Sequence, residues 1–301
     1  MRKSSMMSIV GSFVLSLGVS SAGCAAHEHE HETNACSELA AATDDLNAMP
    51  DEIRAYLAEH KWSHMHLDFH IARMWDVLGE DTQQWAADQG IARWKLQEGQ
   101  PTTGLEFLAM HRLMLTELRE KFPEHADLFA GWSKPPTSLD DPTGPLPPEA
   151  GAFRPEMVSA IDRLHDRPGE LGSDDDFALF LQTTRRPTET DPRGRSPDRS
   201  AGLHNYLHNR WMDENSPINV GDPSLNLQNK VFWRIHGWVD ARWTAYREAK
   251  GLDDSSDAVY LGAMGEAQVW MDDVMERSAH SHKVDDACET IPDEVRTIFS
   301  E

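Results

Sequence analysis

The sequence is expected to fold as an all-α helical bundle joined by long loops, and three observations predict it. Apolar residues recur at helical spacing through most of the long segments. Prolines stand at first-turn positions, where a helix needs no N–H, at Pro50 and Pro292. No stretch stands out with the polar–apolar alternation of a half-buried strand. With 301 residues the chain has room for one large or two modest domains. It divides into a leader at 1–23, a polar tether at 24–48 and a helical domain at 49–301.

Taken in order, Pro50 opens a long helical pattern in which Ile53, Leu57, Leu67, Ile71, Met74 and Leu78 share a spacing, with Gly79 as its stop. A second helix is predicted over 81–97, rich in Trp and Gln, ending at the breaker Gly99-Gln100-Pro101. A third runs from Gly104 to Lys121, before Pro123. The stretch 133–154, with Pro135-Pro136 and Pro147-Pro148, reads as a loop, and so does the Pro-, Arg- and Asp-rich 185–200. Between them lie short helices at 155–165 and 174–183. Helices then follow at 201–213, at 224–250 after the turn Gly221-Asp222-Pro223, and at 256–279. Pro292-Asp293-Glu294-Val295-Arg296 starts a last one; it echoes Pro50-Asp51-Glu52-Ile53-Arg54 as a shared helix-start preference.

The leader has a physical signature of its own. Arg2 and Lys3 precede an apolar run, Ile9 to Val19, and small residues Ser21-Ala22-Gly23 lead to Cys24. That order reads as a secretory signal, and the run is too short for a permanent membrane span. It resembles a bacterial lipoprotein signal, which implies Cys24 as the lipidated residue; plain secretion is the alternative. The residue after Cys24 is not Asp, which by the same resemblance implies the outer membrane, with the protein in the cell envelope. Cys36 and Cys288 remain, and in a compartment that permits disulfides they form either one bridge closing a very large loop or two free thiols.

The formal charge of −23 excludes nucleic acid as a partner and disfavours adhesion to anionic lipid, leaving a lipid anchor as the membrane contact. The tether run His27-Glu28-His29-Glu30-His31 formally matches H-E-x-x-H. That pattern needs a rigid helix to present both histidines on one face, so the run reads as a flexible spacer or a weak copper-collecting tract.

The strongest chemical signal is His204-Asn205-Tyr206-Leu207-His208, followed by His236 within Val231-Phe232-Trp233-Arg234-Ile235-His236-Gly237-Trp238-Val239-Asp240. Imidazoles four apart on a helix point the same way, and a third from an antiparallel neighbour completes a three-nitrogen site between bundle helices. Imidazole alone does not choose among copper, zinc, iron and nickel. Ser216-Pro217 and Asp222-Pro223 lie between these elements, and Trp243 follows them.

This ordered stretch, 202–243, resembles the second copper-binding segment of tyrosinases, catechol oxidases and haemocyanins. The resemblance implies His204, His208 and His236 as ligands of one copper; where the family often has two adjacent histidines, this chain has Ile235 and then His236. Upstream, Leu105-Glu106-Phe107-Leu108-Ala109-Met110-His111-Arg112 resembles the helix that supplies a ligand of the other copper, implying His111. Tyrosinases place a histidine nine residues earlier, but that position is Thr102, and no histidine occurs between His70 and His111. The remaining ligands must come from the histidine-dense first helix, as in arthropod haemocyanins. His66 and His70 fit that comparison. His60 and His64 are the alternative pair, because they share the apolar stripe of Leu57, Leu67 and Ile71. His125 and His165 sit near predicted helix ends, where histidine stabilises terminal carbonyls, and His280 and His282 lie in a polar tail.

The resemblance implies two copper ions that bind and use O2, with a small phenolic substrate oxidised as a phenol or a catechol. It also implies a catalytic role for Asn205, whose tyrosinase counterpart helps a glutamate activate a water. The glutamate's position, nine before His204, is Arg195, so phenol hydroxylation would require Glu189 or another acid. A non-enzymatic O2 carrier or copper-sequestering lipoprotein is the competing class; the His-rich tether favours sequestration, and the retained spacing of both metal segments favours an enzyme or carrier. A single working metal site, motivated by Thr102, is the third.

Overall fold

The computed structural model describes residues 45–138, 154–182, 202–213, 215–280 and 291–296. Cys24, Cys36, Cys288, the leader, the His27–His31 run, Glu189, Arg195 and His282 lie outside the described residues. Those described are helical, with no strand among them and a single isolated bridge between Ala48 and Asn229.

The long first helix divides in two: α1 is Asp51–Glu59 and α2 is Trp62–Met74. His60 and Lys61 separate them, with Lys61 in the left-handed region at φ 56°. A one-residue reversal of this kind redirects the axis, so the side-chain faces of α1 do not continue into α2. The helix expected over 81–97 is also shorter. Helix α3 spans Glu80–Asp88 and Gly90 turns the chain with φ 82°. The residues beyond run along α2 and cap its last turn. Trp94 N donates to Ala72 O at 2.9 Å, and Glu98 N donates to Arg73 O at 2.8 Å. Those carbonyls have no partner within α2, so the segment satisfies them instead of extending its own helix.

Helix α4, Thr103–Lys121, begins where the Asp175 carboxylate accepts from Thr102 N at 2.8 Å and Gly104 N at 2.9 Å. An anionic side chain satisfies the free N–H groups of the first turn and complements the helix dipole. Short helices α5 (Ala126–Phe129), α6 (Pro155–Asp166) and α7 (Asp174–Gln182) follow. Helix α8 is Leu203–Arg210. The helix expected from 224 starts later, as α9, Lys230–Lys250. The Asp222-Pro223-Ser224 turn and a 3-10 turn at Asn226–Gln228 occupy the intervening chain, and Asn229 caps the helix by accepting from Val231 N at 2.8 Å. Helix α10, Ala258–His280, packs along α4 and α2, and α11 is Asp293–Arg296.

The main core gathers buried residues of α1, α2, α4, α6, α7, α8, α9 and α10. A second core formed by Leu67, Ile71, Met74, Leu78, Ala86 and Ile91 closes with Ile291 and Val295 behind α2. Helix α2 is therefore enclosed on both sides, and His66 and His70 are buried with it. Helix α9 is held at backbone contact: a Cβ on Gly237 would lie 2.5 Å from Gly131 N and from Phe129 O.

Candidate metal centre

Four helices bring six imidazoles into the interior. Helix α2 carries His66 and His70 one turn apart, α4 carries His111, α8 carries His204 and His208, and α9 carries His236. Each is at most 3% exposed. They form two groups, His66/His70/His111 and His204/His208/His236, and in each group one ring nitrogen from every member lies within 4.8 Å of the others.

In four of the six, hydrogen bonds fix which nitrogen faces inward. A backbone carbonyl only accepts, so an imidazole nitrogen beside one must carry the proton. His208 Nδ1 lies 2.7 Å from Val220 O, His111 Nδ1 lies 2.8 Å from Phe107 O, and His66 Nδ1 lies 3.4 Å from Pro223 O. His204 Nδ1 is 3.2 Å from Asn205 Oδ1. With Nδ1 protonated, Nε2 presents a lone pair. The inward nitrogens converge: Nε2 of His66 and His70 are 3.1 Å apart, and Nε2 of His236, whose Nδ1 is buried with no hydrogen-bond partner, is 3.3 Å from His204 and 3.4 Å from His208. His111 Nε2 is buried with no hydrogen-bond partner.

Lone pairs pushed together in a dry interior repel, and a shared cation relieves that repulsion. Metal–nitrogen bonds of about 2.0–2.1 Å at trigonal to tetrahedral angles put neighbouring nitrogens about 3.3–3.6 Å apart, close to the spacing seen. The orphaned His111 nitrogen and the converging ring nitrogens fit a metal ion in each group.

Electrostatics keep the ligands in their binding form. Burial pushes His66 down to about 3 and His208 down to about 4, in each case as the dominant cause. Burial, reinforced by neighbouring imidazoles, holds His70, His111, His204 and His236 well below the ordinary histidine value. All six are neutral at pH 7, the state a metal requires.

The two groups abut. The His111 and His236 rings stack at 4.1 Å with 3° between their planes, and His111 and His204 are 6.3 Å apart. Phe107 and Phe232 wall the space. Phe107 lies 4.5 Å from His111 and 4.9 Å from His204, and Phe232 lies 5.1 Å from His66 and 4.1 Å from His236. Such an apolar shell excludes water and lowers the local dielectric.

His60 and His64 belong to neither group. The break at Lys61 puts His60 at the exposed end of α1, its ring 4.3 Å from Tyr56, and leaves His64 half-buried on α2. Their apparent shared stripe assumed a continuous helix. Thr102, which stands at the position of the tyrosinase-type histidine, sits at the start of α4 with φ 77°. His125 reaches the Glu52 carboxylate at 2.6 Å rather than terminal carbonyls, and His165 lies 3.3 Å from Asp166. Asn205, 3% exposed, turns its carboxamide oxygen to the neighbouring His204.

Sequence reasoning missed the groups that orient the ligands. Val220 and Pro223 contribute through carbonyls, which no side-chain pattern records; the only available signal was the Asp222-Pro223 turn. It also missed Arg73. This guanidinium is 1% exposed, stacks 4.6 Å over Phe69, donates to Thr103 O and lies 3.7 Å from Glu106. A scan of protein-family models finds none that matches this chain, and a search of curated proteins finds no match either.

Proposed function

We propose that this protein is a copper-dependent oxidoreductase of the tyrosinase and catechol oxidase type, acting on small phenolic substrates with O2 and tethered in the cell envelope through lipid on Cys24. The observation that carries the reading is the pair of abutting three-histidine groups, with His111 stacked on His236 at 4.1 Å. Copper held in both groups would supply the two-electron redox chemistry that O2 requires and that a single ion supplies poorly.

The chain's own part is to orient and to exclude. Val220, Pro223 and Phe107 hold three imidazoles in one tautomer through their carbonyls, and Asn205 does the same for His204. Phe107 and Phe232 keep water from the space between the groups. Asn205 acts here as a positioning residue, and the position of the tyrosinase glutamate is Arg195. Both points favour oxidation of a catechol over hydroxylation of a phenol, which would require Glu189 or another acid as the base for the phenol proton.

The test is metal analysis of the full chain with turnover on a panel of mono- and diphenols. Two coppers per chain and diphenol turnover are the expected result. Two coppers that take up O2 without turnover would assign an O2 carrier, a reading favoured by the near-complete burial of all six ligands. One copper per chain without O2 uptake would assign a storage role and sink the proposal.

A further inference from the structure

The segment between α8 and α9 serves both histidine groups at once. Within four residues, Val220 O accepts from His208 of one group and Pro223 O accepts from His66 of the other. A shift of this loop therefore moves an orienting contact in each group together.

The loop is itself held from a distant part of the chain. Asp222 Oδ1 accepts from Ser224 N at 2.8 Å and from Ser224 Oγ at 2.6 Å, which closes the turn. Its other oxygen, Oδ2, takes Arg296 Nη1 at 3.3 Å; the Asp222 side chain is 8% exposed and that of Arg296 34%. Arg296 ends α11, whose Val295 is fully buried behind α2 and whose Glu294 carboxylate accepts from Gly79 N at 3.1 Å and from Thr82 Oγ1 at 2.5 Å. Helix α11 thus leans on the rear of the helix that carries His66 and His70 and reaches the loop that orients His66 and His208.

We propose that the 220–223 loop is a shared clamp coupling metal retention in the two histidine groups, and that the C-terminal segment 291–296 latches it through the Arg296–Asp222 pair. Arg296 and Asp222 are positioning residues, two contacts removed from the ions. The proposal rests on both groups holding metal, and not on any reaction at them.

The experiment follows release of copper from the loaded full chain to a chelator, ion by ion, for the wild type, Arg296→Ala, Arg296→Lys and Arg93→Ala. The last removes an exposed ion pair with Asp76 at 2.7 Å that involves neither Asp222 nor Arg296, and controls for general loss of an ion pair. Loss of an outer-shell partner weakens metal binding by about ten- to a hundredfold, and a contact one step further out belongs at the lower end. Both ions are expected to leave Arg296→Ala faster by a similar factor, about tenfold. Arg296→Lys should restore most of the retention and Arg93→Ala should match the wild type. Wild-type release rates from Arg296→Ala would overturn the latch, and acceleration of one ion alone would overturn the coupling. A wild type that holds no copper sinks the metal reading and the latch with it. If two coppers are held without phenol or catechol turnover and both still leave Arg296→Ala faster, the oxidase reading falls and the latch stands.

Discussion

The two histidine groups use the same ligands in different surroundings. The second group hangs on α8, α9 and the loop between them, and two of its imidazoles take their orientation from Val220 O and Asn205 Oδ1. The first group is set between two long buried helices, and Arg73, one turn beyond His70 on α2, lies beside it with Glu98 and Glu106. That guanidinium disfavours positive charge on His70 and His111 and is not among the leading influences on His204, His208 or His236. A cation entering the first group meets this like charge more strongly than one entering the second. The second should fill first and hold its ion more tightly.

The largest expected effect comes from removing a ligand in each group. His236→Ala should cut bound copper from two ions to one and abolish diphenol turnover, and His70→Ala should do the same while leaving the tighter ion in place. Metal content per chain decides it; a His236→Ala chain still holding two ions would dissolve the distinction between the groups.

Acid should act on both groups at once. The folded chain keeps six histidines neutral, while the unfolded chain protonates each near pH 6.5. Unfolded molecules therefore bind more protons below that value, and stability of the metal-free protein falls with pH. The loss begins near pH 6.5 and for His208 and His66 continues down to about 4 and about 3, their folded values. Each buried histidine contributes up to about 1.4 kcal/mol per pH unit in that window. Denaturant midpoints of the metal-free protein at pH 7.5 and 5.5 should differ clearly, and equal midpoints would mean the imidazoles are not held neutral.

A smaller effect is expected at Asn205. Asn205→Ala frees His204 to adopt either tautomer and should weaken the second ion by about tenfold, with the first ion unchanged. Chelator competition reads both affinities, and equal losses in the two groups would contradict the local role. Smallest is the double change Arg73→Met with Glu106→Gln, which removes opposite charges together and limits the penalty of an unpaired buried ion. It should raise affinity in the first group by a few-fold and leave the second alone. No change there would show that Glu98 and Glu106 already neutralise the guanidinium.

Much of the second group was legible because its signals are local. His204 and His208 share one short helix, and His236 follows within a run of aromatic residues. Helices α4, α6, α7, α8 and α10 lie close to where apolar spacing and breakers put them. The first group was harder, because His60, His64, His66 and His70 all have a partner one turn away. What separates them is the reversal at Lys61, and neither glycine nor proline marks that spot. The end of α3 was hidden for a related reason. Residues 91–98 have helical composition, yet their N–H groups cap the final carbonyls of α2, a tertiary demand that overrides local preference. Carbonyl orienters and the reach of Arg296 from the C-terminal segment leave no pattern in composition.

Gly237 follows His236 directly, and its missing side chain lets α9 rest against the backbone at Phe129 and Gly131. At this spot α9 is located by a hard stop of main chain on main chain, with no flexible group between to take up error. The position of His236, one residue before the stop, is thereby set by the width of two peptide planes. An added methyl at 237 would act as a shim, displacing α9 and with it His236, the ligand that meets both its own partners on α8 and the stacked His111 on α4.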